Sequence, residues 1–101
     1  MDNAERIKKM EANLDEAYQA ILELSVAIEK YAEAKPAVHE LSEYLGSEDW
    51  FNDRDADDAG SLPADLKRGV LSEDGIWNVL EDSRQLNIRL LEVATDFLKD
   101  N

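Results

Sequence analysis

Four carboxylates form the one set whose spacing could bear a metal: Glu40-x-x-Glu43 and Asp55-x-x-Asp58. A spacing of three puts both members of each pair on one face of a helix. With 24 acidic residues among 101, such pairs also arise easily by chance. Asp53-x-Asp55-x-Asp57-Asp58 opens like a calcium loop. The match then fails, because the sixth position is Asp58 where the loop needs glycine, and the twelfth is Ala64 where it needs a bidentate glutamate. A solvated acidic face accounts for this stretch. His39 is the only histidine, and there is no cysteine. A metal shell begun by His39 and Glu43 therefore has no second nitrogen or sulfur ligand. A histidine-based triad would have to use this one residue, and no serine sits in a glycine-flanked elbow. Lys67-Arg68-Gly69 is the single basic spot in an acidic middle. It could hold an anion near the start of the last helix, but neutralising the neighbouring aspartates is the simpler role. These residues predict no catalytic site, no resident metal and no cofactor.

The elements that would position such residues are much easier to read. Ile7, Met10, Leu14, Ala17, Ile21, Leu24, Ile28 and Tyr31 advance by alternating steps of 3 and 4. Such steps average half a heptad and keep the side chains on one seam of an α-helix. Ile76, Val79, Ser83, Leu86, Leu90, Val93 and Phe97 repeat the pattern near the other end. Leu80, Leu91, Ala94 and Leu98 widen that second stripe, so its helix should touch two neighbours. The fold expected is all-α: a long antiparallel, coiled-coil-like helical hairpin with a short, partly helical middle segment.

One all-helical domain should span 1–101, in three parts. A long N-terminal helix over 1–46 starts with Asp2 or Asn3 as cap and kinks near Pro36. Gly46 stops it. An acidic middle segment over 47–71 begins with Ser47 as cap of a short helix reaching about Ala59. Gly60, Ser61 and Pro63 mark a loop, and a further helical turn is expected over Ala64 to Arg68, ended by Gly69. The C-terminal helix over 72–101 opens with Ser72 as cap and Gly75 in its first turn. Trp50, Phe51 and Trp77 should cap the open end of the hairpin, or form a partner patch if they stay exposed.

Composition narrows the partners. The formal charge is −13, which repels phosphates and argues against direct binding to nucleic acid or an anionic membrane. A basic partner would be attracted. No apolar run approaches the ~20 residues needed to cross a bilayer. Met1-Asp2-Asn3-Ala4-Glu5-Arg6 lacks the apolar stretch of a signal peptide, so the cytoplasm is the expected location.

Three stretches carry a family resemblance: Glu5-Arg6-Ile7 with Met10-Glu11; Tyr44-Leu45-Gly46-Ser47 with Trp50; and Leu66-Lys67-Arg68-Gly69-Val70-Leu71-Ser72-Glu73-Asp74. Over nearly the whole chain the sequence resembles a bacterial family of acidic helical proteins, about a hundred residues long, known only as a domain of unknown function. The third stretch is the most specific, because helical periodicity does not dictate its order. The resemblance implies a helical fold and a bacterial cytoplasmic setting, and it transfers no catalytic residue. The paired carboxylates are also similar to the acidic motifs of the all-α nucleotide pyrophosphohydrolases. There, carboxylates on facing helices hold magnesium, which binds a triphosphate and activates water. That family's second motif normally begins with glutamate, where this chain has Asp55.

Three functions remain in view. The first is a non-enzymatic interaction module that self-associates, most simply as a homodimer, or docks on a helical partner. Its seam would be Ile7, Met10, Leu14, Ile21, Leu24, Ile28, Ile76, Val79, Leu86, Leu90, Val93 and Phe97. A first helix of about 45 Å is too long for a globule of this size, whose radius of gyration would be about 13 Å. The second is an acidic nucleic-acid mimic that blocks a basic protein. The third is a magnesium-dependent pyrophosphohydrolase-like enzyme.

Overall fold

The computed structural model describes residues 2–100. They form four α-helices and one turn of 3-10 helix, with no strand among the described residues: α1 (Asn3–Glu33), α2 (Lys35–Tyr44), α3 (Glu48–Asp58), the 3-10 turn (Gly69–Leu71) and α4 (Glu73–Lys99). The protein is all-α. Backbone proximity divides it into two units, Met1–Pro36 and Ala37–Asn101.

The first unit is essentially α1. Asp2 caps it, its carboxylate accepting from the Glu5 amide at 2.8 Å. Glu5 in the first turn and Lys30 in the last complement the helix dipole. Its 31 residues extend about 46 Å at 1.5 Å per residue. None of its described residues is buried. Ala34 alone separates α1 from α2, and it keeps right-handed helical angles (φ −79°, ψ −7°). Pro36 then sits in the first turn of α2, where its missing N–H leaves no intrahelical bond unmade.

The second unit is organised by caps and glycines. Gly46, at φ 78°, ends the α2 segment in the left-handed region that favours glycine. Ser47 follows as cap of α3, its hydroxyl accepting from the Trp50 amide at 3.2 Å. Glu48 and Asp49 occupy the first turn of α3, where the dipole tolerates acids. At the other end Gly60 (φ 71°) permits a Schellman closure, with Gly60 N donating to Asp57 O and Ser61 N to Ala56 O, each at 3.0 Å. Ser72 caps α4.

The helical turn expected over Ala64 to Arg68 is reduced to one backbone bond, Leu66 N donating to Pro63 O at 3.2 Å. The 3-10 turn lies over Gly69–Leu71, so Gly69 opens it where it was expected to close one. Arg68 supplies the reason. Its guanidinium donates to the carbonyls of Pro63 (3.1 Å), Ala64 (3.2 Å) and Leu66 (3.3 Å). Beyond the one backbone bond to Pro63 O, these carbonyls are engaged by a side chain in place of a continued helical ladder.

Trp50 and Ile76 form the core of this unit, each only 2% exposed. The Trp50 indole N–H donates to the Val70 carbonyl at 2.9 Å, tying α3 to the 3-10 turn. Gly75 lets α4 approach the same turn, because a Cβ there would run into the Gly69 carbonyl oxygen. A glycine in a helix's first turn, mildly unfavourable on propensity, is explained by that approach.

Candidate functional site

In the second unit five charged side chains, Asp53, Arg54, Asp57, Arg68 and Glu73, help hold elements together. Arg54 lies over the Trp50 ring, 4.8 Å from its centroid, and reaches Glu73 of α4 at 3.4 Å. Arg68 pairs with Asp57 at 2.7 Å, between half-buried side chains. This is the neutralising role the sequence favoured for the basic spot, and it joins α3 to the loop. The Tyr44 hydroxyl donates to Asp53 Oδ2 at 2.5 Å, linking α2 to α3. That bond to the Asp53 carboxylate, with lesser contributions from burial and from the Asp53 and Asp49 charges, pushes the phenol up to about 12.

The metal candidates are placed differently from what a metal site needs. Glu43 is engaged by the lone histidine, His39 Nε2, at 3.0 Å one turn away on α2. Glu40 is on the same helix, while Asp55 and Asp58 are on α3. Asp58 borders a depression of about 260 Å³ with Arg54, Asp57, Arg68, Leu71 and Ser72, where two guanidiniums compete with any cation. Among the described residues no three histidine or carboxylate side chains are gathered so as to hold a metal ion.

The aromatic trio is split. Trp50 is core, whereas Phe51 and Trp77 are more than half exposed, Phe51 meeting the Trp50 ring edge-on at 5.1 Å. Trp77 borders an open groove of about 520 Å³ with Leu45, Gly46, Trp50, Glu73 and Asp74. A second apolar groove, about 400 Å³, runs between Leu41, Val70, Ile76 and Val79, with Lys67 at its edge.

The seams also carry exposed apolar side chains. On α1, Ile7, Met10, Leu14, Ile21, Leu24 and Ile28 are 43–69% exposed. Off the seam, Tyr18, Leu22 and Val26 are exposed as well, so the second half of α1 is apolar on more than one side. On α4 only Ile76 is buried; Val79, Leu86 and Phe97 are exposed, and Leu90 and Val93 are half-buried. No helix among the described residues is long and apolar enough to cross a membrane.

Sequence reasoning identified the helices and their caps but missed the contacts that order the second unit, among them the Tyr44–Asp53 bond, the carbonyl clasp of Arg68, and the Gly69–Gly75 approach. Only the last left a trace in the sequence, as a glycine placed where alanine would suit a helix better.

An acidic, all-α chain with long exposed apolar seams defines the class. The chain belongs to the family described as Domain of unknown function (DUF4298), whose model matches residues 7–93. Neither a curated protein nor a solved structure matches it.

Proposed function

We propose that this protein is a non-enzymatic, self-associating helical module of the bacterial cytoplasm, which assembles by burying its apolar seams. One observation carries the reading: six seam residues of α1, spaced for helix pairing, are 43–69% exposed in the single chain. Rows of large apolar side chains rarely face water on soluble monomers, and a helix apolar on more than one side calls for neighbours. The formal charge of −13 keeps such an assembly soluble and opposes further aggregation. Screening beyond about 8 Å at physiological salt lets two acidic chains meet.

Light scattering across micromolar concentrations tests this. At physiological salt the mass should be that of two chains or a small multiple, and should fall toward one chain on Leu24→Glu. A mass of one chain throughout would refute self-association.

A further inference from the structure

We infer that the partner of α1 is α1 of a second copy of this chain, paired antiparallel about a two-fold axis near Gln19; this rests on the reading of the protein as a self-associating module. The seam steps from Ile7 to Tyr31 run 3, 4, 3, 4, 3, 4, 3, the same in both directions. An antiparallel pair therefore keeps every seam residue in a layer. Met10 meets Ile28 of the second copy, Leu14 meets Leu24, and Ala17 meets Ile21. Each layer occurs twice, as a closed two-fold interface requires.

Volume selects this orientation over the parallel one, and the net charge of the two ends of α1 agrees with it. In a parallel pair each residue faces its own copy, so two Ala17 side chains would leave a gap in the middle of a seam of larger residues. The antiparallel pair sets Ala17 against Ile21, small against large, which fills layers evenly. Over residues 5–9, Arg6, Lys8 and Lys9 outnumber Glu5; over 29–33, Glu29 and Glu33 outnumber Lys30. Antiparallel pairing brings these segments of opposite net sign to the same level. The acidic trio Glu11, Asp15 and Glu16 comes level with residues 22–27 of the second copy, whose sole charge, Glu23, falls level with Asp15. Glu23 itself accepts a hydrogen bond from the Gln19 amide at 2.8 Å. Parallel pairing would instead level each segment with its own copy, a small difference at these outward-facing positions because salt screens charges beyond about 8 Å.

The chain has no cysteine, so spin labels can be placed singly. Gln19→Cys and Lys8→Cys put a label on exposed positions of α1 away from the seam, in the full-length protein. Antiparallel pairing places the two Gln19-site labels at one level, separated by roughly 20 Å across two helices about 8–10 Å apart. The two Lys8-site labels lie 22 residues apart along the axis, about 33 Å at 1.5 Å per residue, so the pair distance exceeds that. A short distance at position 19 with a long one at position 8, in a sample whose mass is two chains, is the expected result. Short distances at both positions mean a parallel pair and overturn the inference while leaving self-association intact. Two chains per particle with no close pair at position 19 place the interface elsewhere, with the same consequence. A mass of one chain overturns both. Ile21→Glu provides the second variant: it should abolish the pair distances while circular dichroism still reports a helical second unit.

Discussion

Replacing Gly75 by alanine tests the packing of the second unit most directly. On propensity alone, glycine to alanine within a helix should stabilise by about 0.5–1 kcal/mol. Here the new Cβ meets the carbonyl oxygen of Gly69, a backbone atom that cannot rotate away. The same Gly69 carbonyl accepts from the Ser72 amide at 3.3 Å, where Ser72 caps α4. Pushing it aside therefore disturbs the cap and shifts Val70, whose carbonyl holds the buried Trp50 indole at 2.9 Å. Overpacking of this kind costs about 1–3 kcal/mol, which at mid-range exceeds the propensity gain by roughly 1 kcal/mol. For a domain of this size 1 kcal/mol moves Tm by about 4–8 °C, so Gly75→Ala should lower Tm by about 5 °C. Gly69→Ala is the matched control, because a Cβ there meets nothing within 4 Å. It should leave Tm within a few degrees. Thermal unfolding followed by circular dichroism reads both variants, and near-ultraviolet dichroism reports the Trp50 environment. An unchanged or raised Tm for Gly75→Ala would refute the close approach of α4 to the 3-10 turn.

Three further outcomes are expected. Arg68→Ala removes a charge-assisted bond to Asp57 and the clasp on three carbonyls, and should lower stability by about 1–3 kcal/mol in urea unfolding, with Arg68→Lys recovering little because an ammonium lacks the planar fork. In ultraviolet titration one tyrosine, Tyr44, should ionise near 12, where an ordinary phenol ionises at 10.0, and Asp53→Asn should bring it back down. Because the folded value is the raised one, the stabilisation is whole below the unfolded value and is lost as pH climbs through about 10 to 12; stability that stays level over that window would contradict the bond. Finally, the purified protein should hydrolyse no nucleoside triphosphate with magnesium, and hydrolysis that disappears on Glu43→Gln would overturn the non-enzymatic reading.

The long elements were legible because their signals are local and repeated. The helices α1 and α4, and the caps at Asp2, Ser47 and Ser72, each follow from apolar spacing or from a side chain three residues ahead of the amide it accepts from. The middle segment resisted because its order comes from contacts distant in sequence. Trp50 is 20 residues from the carbonyl it donates to, and Arg54 is 19 from Glu73. No periodicity marks such pairs. The acids were the most misleading signal, since one residue type serves several purposes. Asp53 accepts from a tyrosine, Asp57 neutralises an arginine, and Glu73 meets a second arginine. Spacing alone grouped Asp55 and Asp58 with Glu40 and Glu43, although the neighbours of each carboxylate, and not its spacing, decide what it can bind.

The two units therefore call for different kinds of experiment. The second carries its own core, with Trp50 and Ile76 buried and their polar contacts met within the unit, so substitutions there should act on folding of the single chain. In the first unit no described residue of α1 is buried, and most helical stability in proteins comes from packing of an apolar face. Substitutions on its seam should consequently register through concentration-dependent assembly. A stability loss from Leu24→Ala that grows with protein concentration, alongside one from Ile76→Ala that does not, would separate the two contributions. Equal, concentration-independent losses would mean that α1 is stabilised within its own chain and would remove the basis for pairing it with a second copy.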